Sequence, residues 1–267
     1  MAFYGCDFKF NSFSCSSLGL QIYDFGSGNQ DDESEFYAQG SIVSDVVMGR
    51  DDIFLYGKEN KETLTIKIVF GVNQGRLDED RWLTRQEVEK VAEWLTSDGR
   101  WKWLSIKQED MIEYRYKVVL DSLKLLHNGM YPYAFEAEFK ADSPYAYMYP
   151  MKFVWEPGSN IFNNRGSNSG YFKPIITIHL SSGGGDFSIV NNSDGGREFR
   201  FTGLPKSVED IRVDNKNQII TDINNGLNLY GYFNNKFFRA VKGKNDLVIA
   251  GDGYVETTCE FPVNIGV

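Results

Sequence analysis

Thr84 to Leu95, TRQEVEKVAEWL, is the segment of this chain that reads most firmly, and it reads as a helix. Thr84 and Glu87 have the spacing of a capping box, in which the threonine oxygen takes a backbone N–H three residues on and the glutamate reaches back. Val88, Val91, Ala92 and Leu95 fall at i, i+3, i+4 and i+7, one face of a 3.6-residue helix. The spacing predicts a helix over about residues 84–96. Thr96-Ser97-Asp98-Gly99 is the expected stop, with Gly99 supplying a left-handed turn. Arg85, Glu87, Glu89, Lys90 and Glu93 alternate in sign on the polar side. The apolar stripe is narrow, which suits a helix laid on a sheet better than a membrane or partner-binding helix.

Outward from the helix, the sequence supplies that sheet. Thr63 to Phe70, TLTIKIVF, sends Leu64, Ile66, Ile68 and Phe70 to one face and Thr65 and Lys67 to the other. Tyr133 to Lys140, YAFEAEFK, alternates in the same way, so one face is wet, as in antiparallel sheets. Trp101 to Ile106 and Tyr114 to Leu126 read as strands, the latter meeting Asn128-Gly129, a dipeptide suited to a two-residue hairpin. FKFNSFSCSSLGLQIYDF reads as two strands breaking at Leu18-Gly19, and SIVSDVVMGRDDIFLYG as two extended pieces broken at Gly49 to Asp52. Gly26 to Glu35, GSGNQDDESE, is an acidic loop.

From Ala141-Asp142-Ser143-Pro144-Tyr145 the texture changes, and a domain boundary is expected near residues 142–150, dividing the chain into 1–145 and 146–267. The second part reads as strands with no convincing helix: Lys173 to Leu180, Phe187 to Val190, Glu198 to Thr202, Asp210 to Val213, Gln218 to Thr221, Leu227 to Tyr232, Lys236 to Phe238, Asp246 to Ile249 and Val255 to Phe261. Short strands at this spacing with turn residues between them describe a sandwich. The fold class expected is mainly β with one helix: an N-terminal α+β domain of antiparallel sheet, then a C-terminal β-sandwich.

The totals agree. The chain has 267 residues, 42% hydrophobic and 24% charged, ordinary for a globular protein. Phe (20), Tyr (15) and Gly (26) favour strands and tight turns. A net charge of −9 opposes general affinity for nucleic acid, which needs cations to neutralise phosphates. Cys6, Cys15 and Cys259 show no CxxC spacing and read as reduced, mostly buried thiols, with a Cys6–Cys15 disulfide left open. The first residues lack a basic region followed by an apolar run, so no signal peptide is expected, and no window approaches a membrane span.

A search for chemistry finds no catalytic, cofactor-binding or metal-binding set. His127 and His179 lie in no HExxH or HxH pattern, so a zinc site is not expected. There is no G-x-S-x-G, and Gly183-Gly184-Gly185 lacks the Lys-Ser/Thr and helix of a phosphate loop, reading instead as a flexible turn. Asp31, Asp32, Glu33 and Glu35, and Asp78, Glu79 and Asp80, read as solvated loops without EF-hand spacing. Trp82, Trp94, Trp101, Trp103 and Trp155 read as core or interface rather than sugar platforms. Asn191-Asn192-Ser193 matches a glycosylation acceptor by chance.

Particular phrases in order resemble one family. The opening FKFNSFSCSSLGLQI, the phrase MGRDDIFLYG, TLTIKIVF, the helix ending VAEWL and the close FEAEFKADSPYAY are followed by NNRGSNSGYFKPIITI, GDFSI, DIRVDNKNQII, NNKFF and GKNDLVIAGDG. Together they are similar to the distal tail (Dit) proteins of long-tailed, non-contractile bacteriophages. The resemblance covers nearly the whole chain and rests on structural residues.

It implies an N-terminal ring-forming domain and a C-terminal galectin-like sandwich. It also implies a homo-oligomer, six copies closing a ring at the virion tail tip. That ring would join the major tail tube protein to a tail-associated lysin, tail fibre or receptor-binding protein. DNA would pass through the channel in transit, without specific binding. No cofactor, membrane or enzymatic role is implied. A heterologous ring needs two different complementary surfaces on each copy. Gly26 to Glu35 and Ser44 to Asp52 are the candidate contact segments; individual interface residues are not legible in one sequence. The alternative is a carbohydrate-binding module for host-surface attachment, which would want His, Asn, Arg and Trp on adjacent strands. A cell-wall hydrolase lacks a nucleophile, metal site or defensible acid pair.

Overall fold

The computed structural model describes residues 3–25, 40–46, 48, 51–60, 63–73, 82–167 and 170–265. The chain divides into two compact units, Met1–Tyr147 with Asn264–Val267, and Met148–Val263.

The first unit is a curled antiparallel sheet under a helix. Its elements are β1 (Asp7–Phe10), β2 (Phe13–Ser14), β3 (Leu20–Asp24), β4 (Gly40–Asp45), β5 (Phe54–Asn60), β6 (Thr65–Val72), α1 (Arg85–Thr96), β7 (Lys102–Lys107), β8 (Tyr114–Asn128) and β9 (Tyr131–Ala141). The main sheet runs β2-β1-β7-β8-β9-β6-β3, while among the described residues β4 and β5 pair only with each other. The Ile22 N–H donates to the Cys6 carbonyl at 3.1 Å, so the two ends of the path approach and the sheet curls.

The capping box of α1 is present in full: Glu87 N–H donates to Thr84 Oγ1, and the Glu87 carboxylate takes the Thr84 N–H at 2.8 Å. Val91 and Leu95 are buried beneath the helix, with Val88 and Ala92 half-buried. Trp94 extends that face. Its ring stacks on Phe8 at 5.3 Å and its indole N–H donates to the Phe10 carbonyl at 3.2 Å, so a large, half-buried apolar ring has its donor satisfied. Phe70, Phe135 and Phe139 complete this aromatic core, which the alternation of β6 and β9 predicts.

Three local expectations are corrected here. Gly99 does not supply a left-handed stop; Ser97 caps α1 in right-handed conformation. Side chains end the helix instead: the Thr96 hydroxyl donates back to the Ala92 carbonyl, and Asp98 pairs with Lys102 at 3.0 Å. At the β8–β9 hairpin the loop is Gly129-Met130 rather than Asn128-Gly129. Asn128 pairs with Tyr131, and only Gly129 takes positive φ, 64°. Glycine at the first central position is the II′ arrangement, so the ladder gains one pair. In the opening segment the turn at Gly19 is as expected (φ 69°), but β2 and a 3-10 turn, Cys15–Leu18, intervene between the two main strands.

The second unit is a sandwich. After β10 (Ala146–Met148) come β11 (Met151–Trp155), β12 (Gly158–Asn164), β13 (Ile175–Leu180), β14 (Gly185–Asn191), β15 (Arg197–Leu204), β16 (Asp210–Asp214), β17 (Ile219–Asp222), β18 (Gly243–Gly251), β19 (Gly253–Cys259) and β20 (Pro262–Val263). One sheet runs β11-β19-β13-β16-β17 and the other β12-β18-β14-β15. Alternate residues of both point inward, and Trp155, Phe162, Phe172, Phe238 and Phe261 meet at ring separations of 4.9–6.4 Å.

Leu227 to Tyr232 and Lys236 to Phe238 are not strands, contrary to the sequence reading; this stretch has a 3-10 turn, Tyr230–Tyr232, and isolated bridges at Phe233 and Ala240. Buried asparagines do the work a ladder would do. Asn215 Oδ1 accepts the Phe238 N–H while its Nδ2 donates to the Pro174 carbonyl. Asn245 Oδ1 accepts from Val241 N–H and from Asn191 Nδ2, and its Nδ2 donates to the Val241 and Gly243 carbonyls. Asp222 takes the N–H groups of Asn224, Asn225 and Leu227. Backbone groups that lack a neighbouring strand are thereby satisfied, as burial requires.

Candidate functional site

The feature of the first unit that its own core does not explain is the β4–β5 ribbon. Ser44 to Asp45 pair with Phe54 and Leu55, and a bulge at Val43/Ser44 lies opposite Gly57, whose φ of 145° only glycine takes easily. Successive strand residues face opposite ways. Phe54 and Tyr56 therefore share one face, with rings 5.5 Å apart, and Ile53 and Leu55 the other. Among the described residues apolar side chains of the ribbon are exposed: Ile42 is 69% exposed, Leu55 65%, Tyr56 64%, and Met48 at the tip is fully exposed. Scattered exposed apolar residues are ordinary, but a contiguous set on a strand pair marks an interaction surface.

A second feature lies on the same unit. A groove of about 470 Å³ runs between the β1–β2 turn and the solvent side of α1, lined by Phe13, Leu18, Trp94, Ser12, Lys90 and Lys102. Phe13 is 41% exposed and meets Trp94 at 5.8 Å. Asn11 holds the turn open at φ 60° and donates its N–H to the Trp103 carbonyl.

Of the two candidate contact segments, Ser44 to Asp52 is the tip of the ribbon, described at residues 44–46, 48, 51 and 52; Gly26 to Glu35 lies outside the described residues. So do the clusters Asp31, Asp32, Glu33, Glu35 and Asp78, Glu79, Asp80.

The residues weighed for chemistry are dispersed. His127 is an exposed residue of β8, and His179 on β13 stacks on Tyr254 at 4.7 Å and bonds Asp210 through Nδ1 at 2.6 Å. Among the described residues no group of three or more His, Cys, Asp or Glu is placed to hold a metal ion, and no helix is long and apolar enough to cross a membrane. The three cysteines are free; burial pushes the Cys259 thiol up to about 11 and Cys15 higher still, so both stay protonated and unreactive.

Trp155 is sandwich core, 2% exposed, and cannot stack on a sugar. Asn191 of the glycosylation triplet is buried, its amide spent on Arg239 and Asn245. Gly183 and Gly184 are tightly packed in their turn, contrary to the flexible reading: a Cβ would meet the Lys206 carbonyl oxygen at 2.3 Å on Gly183 and the Leu204 carbonyl oxygen at 2.5 Å on Gly184, whereas Gly185 has open space.

Comparison with known proteins decides the family. Residues 3–143 match the family described as phage tail protein N-terminal domain, and residues 145–259 its phage tail C-terminal domain. The chain belongs to the phage tail proteins. A curated relative of this tail protein is the SPbeta prophage-derived uncharacterized protein YomH of Bacillus subtilis, 27% identical over 175 residues, 65% of this chain and 68% of YomH. Among solved structures, the tail protein shares its fold with SPP1 Dit (gp 19.1), described as a paradigm of the hub adsorption apparatus in phages infecting Gram-positive bacteria. The likeness has a TM-score of 0.66 at 11% identity and covers 95% of this chain and 98% of SPP1 Dit.

Proposed function

We propose that this tail protein is a distal tail hub. Six copies close a ring at the tail tip, with the first unit forming the ring. The ring links the tail tube to the adhesion device and leaves a channel through which DNA passes. The observation that carries this reading is the β4–β5 ribbon, with its exposed apolar side chains, in a chain that belongs to the phage tail proteins and shares its fold with a hub protein along 95% of its length. The work is done by contacts between proteins, and no bond is made or broken.

The net charge of −9 supports passage without capture, since carboxylates repel phosphate. Deleting the gene from its phage tests the role: absent or unfinished tails in electron micrographs are expected, and normal infectious particles would refute it. A basic channel lining in an assembled ring would refute the charge argument alone.

A further inference from the structure

The two sheets of the sandwich turn different outer faces to solvent. On β12 and β18 the outward residues Ile161 and Val248 are exposed and aliphatic. On the other sheet Val255, Ile178 and Ile211 form one cross-strand row into the core, so the rows on either side of it point out. Those rows are Tyr254–His179–Asp210 and Glu256–Thr177–Arg212, across β19, β13 and β16. Neighbouring strands lie about 4.8 Å apart and same-face residues about 6.8 Å apart along a strand, so the two rows cover roughly 10 by 7 Å. That is the footprint of a sugar ring or two.

The histidine of this patch is held in advance. Asp210 Oδ1 meets His179 Nδ1 at 2.6 Å, the imidazole lies on the Tyr254 ring at 4.7 Å, and Asn224 Nδ2 donates to Asp210 Oδ2 at 3.3 Å. A carboxylate at Nδ1 favours the proton there and leaves Nε2 to accept. Among the described residues neither His179 Nε2 nor the exposed Arg212 guanidinium has a hydrogen-bond partner. The charges balance: Lys152 Nζ neutralises Glu256 at 2.9 Å, and Arg212 stands two residues from Asp210 on the same face. Fixed donors and acceptors without net charge suit a ligand rich in hydroxyls and itself uncharged. A phosphate wants cations in excess, and an apolar segment finds its complement on the opposite sheet.

We propose that this face binds a neutral saccharide. Arg212 donates to adjacent ring hydroxyls, His179 Nε2 accepts from another, and the stacked Tyr254 and His179 rings give the sugar's C–H groups an apolar neighbour. The site goes beyond the hub role and does not depend on it: one face of the second unit holds a glycan while other surfaces hold proteins.

The test uses the full chain, fluorescently labelled, on an array of neutral mono- and oligosaccharides, followed by calorimetric titration of the sugar that binds. A Kd of about 1 mM or tighter is expected. Arg212→Ala and His179→Ala should each weaken it about tenfold, the loss of one charge-assisted or oriented hydrogen bond. Both side chains lie outside the core, and circular dichroism reports whether the sandwich is kept. Asp210→Asn, a positioning change, should weaken binding by a smaller factor, and that factor should vanish when His179 is already alanine. Ile161→Ser on the opposite sheet should leave the affinity unchanged. A wild-type chain that binds no neutral sugar at about 10 mM overturns the proposal. So do R212A and H179A variants that bind like wild type, or a preference for inorganic phosphate over every neutral sugar. The hub reading survives each of these outcomes, since the deletion phenotype decides it.

Discussion

The β4–β5 ribbon is a regular ladder whose apolar side chains stand in solvent. Residues 223–242 of the second unit belong to no named strand, yet Leu229, Phe233, Phe238 and Ala240 are buried there. The two differ in where their stability comes from. The ribbon has its backbone bonds and lacks a core. The irregular segment has the core, and buys the missing backbone bonds from Asn191, Asn215, Asn245 and Asp222. Regularity and anchoring are separate properties, and here they are distributed to different units of the chain. The segment proposed to meet a partner is the one left unanchored, as local stability theory expects of surfaces that change on assembly.

The largest test of this contrast is Phe238→Ala. Its ring sits 5.4 Å from Trp155 and its N–H is held by Asn215. Removing a buried phenyl typically costs about 4 kcal/mol. Urea unfolding followed by Trp155 fluorescence should show that loss; a cost under about 1 kcal/mol would mean the segment is not an anchored part of the sandwich. Next is Asn245→Ala. It strands the Val241 N–H without that acceptor, costs the Asn191 amide one of its two acceptors, and takes a donor from the Gly243 and Val241 carbonyls, the latter still held by Asn164 Nδ2. Unsatisfied buried groups of this kind cost about 3 kcal/mol together.

Much of the frame was legible before the structure. Thr84 and Glu87 announced the helix because a capping box is local. TLTIKIVF and YAFEAEFK announced the sheet because period-2 burial is written directly in residue order. The asparagine clamps were not legible, because Asn reads as a turn former wherever it stands, and its partners here lie up to 54 residues away. Leu227 to Tyr232 looked like a strand because Leu227 and Leu229 are two apart, but only Leu229 is buried. The ribbon showed its extended pieces at either side of Gly49 to Asp52. Its exposure was hidden, since IFLY reads equally well as a strand covered on both sides. Ser44 to Asp52 is legible only as a candidate contact segment, whereas the groove joins Phe13 to Trp94 across 81 positions of sequence, which no local pattern reveals.

A smaller effect is expected at the ribbon itself. Leu55 is 65% exposed, so Leu55→Ser should change the stability of the isolated chain by less than about 0.5 kcal/mol. Hydrogen exchange sharpens the point: amides of β4 and β5 should exchange rapidly in dilute solution and become protected on assembly, while those of β6 and β9 stay protected in both. Equal, strong protection of the ribbon in the isolated chain would erase the contrast with residues 223–242.

The smallest effect concerns the turn that carries Asn215. Asp214 Oδ1 accepts the N–H groups of Lys216 and Asn217, and Oδ2 takes the Asn217 amide at 2.8 Å. The backbone N–H of Asn217, aided by its side chain, holds the Asp214 carboxyl below the usual carboxylate range against the opposing pull of desolvation. A carboxyl depressed in the folded state stabilises fully above its unfolded pKa, and that contribution is lost as pH falls through the folded value. The group is largely exposed, so solvent screening keeps the effect on global stability slight. Its local consequence is measurable because the next residue holds Phe238. The protection factor of the Phe238 amide should decline as pH is lowered below the ordinary carboxylate range. Asp214→Asn, which keeps an acceptor and removes the charge, should abolish that pH dependence. Should Asp214→Asn leave the decline unchanged, the acid sensitivity does not arise at Asp214 and the turn is not the titrating element.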